Sequence, residues 1–127
     1  MGKKTAARKA WLRPRLRVMC GKEIALGPGR VELLELIRQT RSLRAAAERM
    51  DISYMRAWQL VQYTNRCFRE PLVEVTRGGR AGGGAKLTKT GVRVLKLYRQ
   101  MESQCHKAVR KTWSELERRV GKRHSSG

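Results

Sequence analysis

A chain of 127 residues sets 30 Lys and Arg against 10 Asp and Glu, a formal net charge of +20. That length suits one domain, and 40% hydrophobic residues exclude a chain too polar to bury a core. So large a cation excess repels itself in the compact state unless a polyanion shares the surface, which makes nucleic acid the expected partner, ahead of an anionic membrane.

In chain order, residues 1–13 are basic and read as a mobile arm; behind their charges stands no apolar stretch of the kind a secretory leader has. Residues 15–26 alternate charged and apolar side chains on both sides of Gly21-Lys22. They predict a hairpin with Leu16, Val18, Ile24 and Leu26 on its inner face. Gly27-Pro28-Gly29 is expected to break the chain, and residues 30–40 to form a helix around Val31, Leu33, Leu34 and Ile37.

Residues 42–65 carry the most specific pattern. Ser42 and Ser53 are N-caps, each able to accept a backbone N–H that the first helical turn leaves free. Ala46, Ala47 and Met50 form one apolar face, Asp51-Ile52 make a corner, and Ala57, Leu60, Val61, Thr64 and Phe68 form the next face. Small alanines let two helices cross closely, and Asp tolerates the left-handed backbone that such a corner needs. This is a helix-turn-helix, whose second helix enters the DNA major groove. An ordinary α-hairpin of a helical bundle is the plainer alternative.

The opposite face of the second helix carries Tyr54, Met55, Arg56 and Gln59 near its start, and Gln62, Tyr63 and Arg66 further on. Arg pairs bidentately with guanine and Gln with adenine, so the first four are the expected base readers and the last three the phosphate contacts. Ser42 and Ser53 are counted with this DNA-facing set, and Trp58 is expected to pack rather than to touch bases. Residues 72–76 and 85–87 read as strands around a glycine-rich basic loop. The loop lacks the Lys-Ser/Thr that closes a nucleotide-binding P-loop. It reads instead as a wing laying Arg77, Arg80 and Lys86 on phosphates or into the minor groove.

Thr88 caps a last helix, expected over about residues 88–119 and roughly 45 Å long at 1.5 Å per residue. Val94, Tyr98, Met101, Cys105 and Ala108 follow a 4-3-4-3 rhythm; Val109, Trp113, Leu116 and Val120 repeat it shifted by one residue. A helix of that length outruns one small domain. Tyr98, Met101, Cys105, Val109, Trp113 and Leu116 are therefore the expected interface of a homodimer. Residues 121–127 read as a frayed tail.

Cys20, Cys67 and Cys105 are odd in number and far apart, which suits free, mostly buried thiols in a reducing cytoplasm, and a DNA-binding chain would lie there with the nucleoid; His106 and His124 lack metal-ligand spacing. No nucleophile, base and carboxylate are grouped as catalysis requires. No cofactor and no enzyme activity are expected of these residues.

With these motifs set out, Leu26-Gly-Pro-Gly-Arg-Val-Glu-Leu-Leu-Glu-Leu-Ile37, Ile52-Ser-Tyr-Met-Arg-Ala-Trp58 and the glycine-rich 73–91 segment resemble the ModE-type, molybdate-responsive transcriptional regulators. The resemblance covers about residues 14–105. LysR-type regulators share the Ala-Ala and Leu-Thr-x-x-Gly elements but lack Tyr-x-x-Ala-Trp and the glycine wing. The ModE resemblance implies a dimeric bacterial winged-helix regulator of molybdenum-related genes. Full-length members continue into a β-stranded molybdate-binding module, for which this chain has no room after Val120, so molybdate is implied by the family alone. The chain would then be either a stand-alone variant or one that relies on a separate effector-sensing protein.

The expected architecture is mainly α with small β-hairpins: a basic arm over 1–13, a winged helix-turn-helix domain over 14–120 with a long C-terminal dimerisation helix, and a tail over 121–127. The expected function is a sequence-specific DNA-binding transcription regulator, acting as a repressor on double-stranded DNA and not at a membrane. A non-specific basic nucleic-acid-binding or architectural protein is the alternative, and an RNA-binding protein a more distant one, since stacking aromatics are few.

Overall fold

A computed structural model describes residues 9–76 and 84–121. The elements run β1 (Val18–Cys20), β2 (Glu23–Leu26), α1 (Pro28–Thr40), α2 (Leu43–Met50), α3 (Tyr54–Arg66), β3 (Val73–Val75), β4 (Ala85–Leu87), α4 (Lys89–Ala108) and α5 (Arg110–Glu117). The protein is thus mainly α with two small antiparallel hairpins, β1–β2 and β3–β4. Contacts divide it into two compact units, Arg15–Gln100 and the pairing of Met1–Pro14 with Met101–Gly127.

In the unit Arg15–Gln100 the first hairpin turns at Gly21, whose φ of 63° needs no Cβ to be accommodated. A bulge between Val18 and Met19 sets Val18 opposite Leu26 and Met19 opposite Ile24. The extra residue, Ala25, is why two successive residues of β2, Ala25 and Leu26, are both buried, against the simple alternation expected. Leu16 and Val18 pack on the core as predicted. Pro28 does not break the chain: it is the first residue of α1, where its missing N–H costs nothing and its fixed φ suits the helix. Val31, Leu33, Leu34 and Ile37 are all buried.

Two corners join α1, α2 and α3, and both use a left-handed residue that is not glycine. Asp51 (φ 59°) ends α2: its N–H donates to Glu48 O at 3.1 Å, and the Ile52 N–H reaches back to Ala47 O at 3.0 Å. That is the Schellman closure, with Ile52 folded onto the core. Arg41 (φ 57°) ends α1, its N–H donating to Ile37 O at 2.8 Å. The Arg41 carbonyl then accepts the Ala85 N–H at 3.2 Å, which fastens the second hairpin to the corner. Asp51 was legible as a left-handed site; Arg41 was not. Ala46 and Ala57 are fully buried, so the backbones of α2 and α3 lie close together.

Asn65, near the end of α3, clamps β3. Its Oδ1 accepts the N–H groups of Leu72 (2.8 Å) and Val73 (3.2 Å), and its Nδ2 donates to Val73 O at 3.0 Å. Thr88 caps α4 as expected, its hydroxyl accepting the Gly91 N–H at 2.9 Å and donating to Pro71 O at 2.7 Å. Gly91 lies against the Leu72 carbonyl so closely that any Cβ there would overlap it.

Two expectations for the C-terminal helix are corrected. Tyr98 is not part of an outer stripe. It is buried in the core, 1% exposed, and its hydroxyl donates to Leu16 O at 2.8 Å. The single helix over 88–119 is two helices, parted at Val109 (φ −101°, ψ 9°), where the apolar rhythm slips by one residue. Lys107, Arg110 and Lys111 stand three and four residues apart around that point, and like charges at this spacing oppose a continuous helix, as does the β-branched Val109.

The other unit contains residues 9–13, the described part of the expected arm. Trp11, Leu12, Arg13 and Pro14 share a shallow groove with Glu102 and His106, and the Arg13 guanidinium lies 4.7 Å from the centre of the Trp11 ring. Residues 1–8 of the expected arm and 122–127 of the expected tail lie outside the described residues.

Candidate nucleic-acid interface

The outer face of α3 gathers most of the predicted reading residues. Ser53 starts the helix, its hydroxyl oxygen accepting the Arg56 N–H at 3.0 Å. The core face, Ala57, Val61 and Thr64, is buried. At helical spacing this turns Met55, Arg56, Tyr63 and Arg66 to solvent, with Gln59 and Gln62 half-buried at the edges. Met55 is 59% exposed, unusual for a large apolar group beside a helix start. Among the described residues Arg56 has no carboxylate partner, whereas Arg38 and Arg119 are paired to Glu35 and Glu115.

Stacked guanidinium groups set two tyrosines on this face. Arg66 lies 4.8 Å from the Tyr63 ring centre, one helical turn away on α3. Arg44 of α2 lies 5.3 Å from the Tyr54 ring centre. The sequence reading missed Arg44, because nothing in linear spacing signals a contact across the corner. Such contacts are worth about 0.5–1 kcal/mol at exposed sites.

Beside α3 runs a groove lined by Tyr54, Met55, Trp58, Gln62 and Val75, so the helix face continues into β3. Trp58 is half-buried; it packs on the core, as expected, and also walls this groove. Lys86 on β4 is exposed, its Nζ 3.9 Å from the Glu74 carboxylate directly across the hairpin. An exposed pair at that distance contributes little and leaves the ammonium free to exchange partners. Arg77 and Arg80 lie outside the described residues. Ser42 stands apart from the α3 face: it caps α2, its oxygen accepting the Ala45 N–H at 3.0 Å.

The expected dimer residues other than Tyr98 belong to the unit containing Met101–Gly127. Met101, Val109 and Leu116 are 38%, 40% and 53% exposed, and Cys105 and Trp113 are half-buried. Among the described residues no group of three or more His, Cys, Asp or Glu is placed to hold a metal ion, and no helix is long and apolar enough to cross a membrane.

The α3 face with Arg56 and Arg66 thus lies beside a small hairpin, and comparison with known proteins gives this arrangement a context. No family model matches the sequence. The molybdenum transport protein ModE of Azotobacter vinelandii is 39% identical over 85 residues, 67% of this chain and 32% of that protein. The molybdenum-pterin-binding protein MopB of Rhodobacter capsulatus is 41% identical over 78 residues, 61% of this chain and 29% of that protein. The DNA-binding transcriptional dual regulator ModE of Escherichia coli K12 is 39% identical over 71 residues, 56% of this chain and 27% of that protein. The chain is a homologue of the ModE-type regulators, as its motifs implied, and it spans about a third of the length of these relatives.

Proposed function

We propose that this chain is a sequence-specific DNA-binding transcription regulator built as a winged helix. In this reading α3 lies in the major groove, with Arg56, Gln59, Met55 and Tyr54 at base edges and Gln62, Tyr63 and Arg66 toward phosphates. The β3–β4 hairpin is the wing, with Lys86, Arg77 and Arg80 along the backbone. The observation that carries the reading is the outer face of α3: an Arg56 with no carboxylate partner among the described residues and an exposed Met55, on a capped helix whose other side is core. Arg and Gln read purines and an apolar side chain reads the thymine methyl. The net charge of +20 supplies the attraction to phosphate.

The remaining stripe of Met101, Cys105, Val109, Trp113 and Leu116 supports a homodimer. Pairing these apolar groups removes them from water, and a two-fold regulator of this kind reads an imperfect palindrome whose half-sites lie about one DNA turn, roughly 34–36 Å, apart. The relatives' names, a molybdenum transport protein and a DNA-binding transcriptional dual regulator among them, support molybdenum-related genes as targets, and the reading adds repression as the action and the DNA-containing cytoplasm as the place. Molybdenum enters through the relatives' names alone, and the reading assigns molybdate sensing to a separate protein or module.

A competition titration against random duplex tests the reading. The preferred-to-random affinity ratio should stand well above unity at physiological salt. Arg56→Ala should lower that ratio by a free energy of about 1–3 kcal/mol, while Arg80→Ala weakens all duplexes alike. If roughly six phosphates are neutralised, log K against log salt falls with a slope near −5. A ratio near unity would make the chain an architectural protein instead. Met101→Lys should lower both dimer content by light scattering and operator affinity. Calorimetry in which molybdate binds tightly and sulfate does not would overturn the assignment of sensing elsewhere.

A further inference from the structure

We propose that Cys20 and Cys67 form a redox-modifiable dithiol, closed to an intramolecular disulfide by a hydroperoxide. The two are far apart in sequence, and the fold brings them together from different elements. The β1–β2 register sets Cys20 opposite Glu23, and the Cys67 thiol, at the C-cap of α3, lies 3.9 Å from the Glu23 carboxylate. Cys20 and Glu23, directly opposite across the hairpin, project from the same face, so Glu23 stands against both cysteines, and the Cys20 and Arg30 groups act electrostatically on the Cys67 thiol. Both cysteines are free.

The surroundings divide the labour between the two sulfurs. Cys20 is exposed and Cys67 half-buried, against the expectation of mostly buried thiols, so a small oxidant reaches Cys20 first. Burial pushes the Cys67 thiol above the ordinary range, with Cys20 and Glu23 adding to the effect and Arg30 opposing it. The Cys20 thiolate attacks the peroxide oxygen, the O–O bond breaks, and Cys20 becomes a sulfenic acid as hydroxide or alkoxide leaves and takes a proton. The Cys67 sulfur then attacks the sulfenic sulfur. The S–S bond forms, the S–O bond breaks, and water departs with the Cys67 proton. Two electrons pass from the two thiols to the peroxide, and the oxidant is consumed one for one. The disulfide staples the first hairpin to the end of α3. This chemistry stands apart from the DNA reading, because its readout is thiol modification alone.

The experiment uses the full reduced chain and limiting hydrogen peroxide, followed by maleimide labelling and peptide mass mapping. The expected result is a fall in free thiols from three to one, with Cys105 the thiol that remains. A peptide pair joining Cys20 to Cys67, lighter by two hydrogens, should form at a rate independent of protein concentration and reverse with dithiothreitol. Cys105→Ser should form the bond as the wild type does. Three surviving thiols, bonds between chains, a bond to Cys105, or sulfinic acid at Cys20 with Cys67 still free would each overturn the proposal. The wild-type peptide map decides the matter even if Cys20→Ser or Cys67→Ser fails to fold.

Discussion

The two stretches with the same amphipathic rhythm have opposite fates. From Val31 to Ile37, α1 buries every apolar position except the half-buried Leu36, and Ile37 reaches zero exposure. From Met101 to Val120, four- and three-residue spacing recurs just as regularly, yet no described residue is buried. Within α4 itself, Leu95 and Tyr98 are core, while Met101, one turn on, is exposed. Periodicity thus reports that a stripe exists. It does not report what covers it, because coverage depends on elements brought in from elsewhere in the chain.

The contrast can be broken by substitution. Ile37→Ala should cost about 2–5 kcal/mol in urea unfolding, since it removes side-chain volume from a closed core. Leu116→Ala, made at the same chemical scale on the other stripe, should stay within about 0.5 kcal/mol in dilute protein. Equal losses at the two sites would mean that the C-terminal stripe is already covered within one chain. Asn65→Ala comes next, at about 1–3 kcal/mol, because it leaves the Leu72 and Val73 N–H groups without their shared acceptor. Removing a cap is smaller: Ser42→Ala should lower stability by about 1 kcal/mol, measured in the same urea series. The smallest effect sharpens the comparison at the helix break. Val109→Leu relieves β-branching there and should raise helical ellipticity slightly, with a gain of a few tenths of a kcal/mol. Unchanged ellipticity would place the cause in the cluster of Lys107, Arg110 and Lys111.

Much of the α2–α3 region was legible. Ser42, Asp51, Ser53 and the alanine faces are local signals, each set by one turn of backbone, and all stand where the sequence put them. Thr88 and the turn at Gly21-Lys22 are of the same kind. The misses share a different character. Pro28 reads in the sequence as a break, although proline is as well suited to a first helical turn as to a loop. The bulge at Ala25 and the left-handed Arg41 have no local signature. Arg41 is shaped by the hydrogen bond its carbonyl accepts from Ala85, 44 residues further along.

On the candidate interface, the outer face of α3 follows from the sequence once its core face is known, because a helix with Ala57, Val61 and Thr64 inward must turn Met55, Arg56 and Arg66 outward. The alternation within each strand and the cap at each helix start are likewise properties of short stretches, determined by the residues themselves. Tertiary structure alone decided that Tyr98 is core, that Asn65 holds β3, that Arg44 stacks on Tyr54, and that Cys67 meets Glu23 of the first hairpin. Each of these depends on two segments distant in sequence arriving at one point, and the distance-dependent forces that join them leave no periodic trace along the chain.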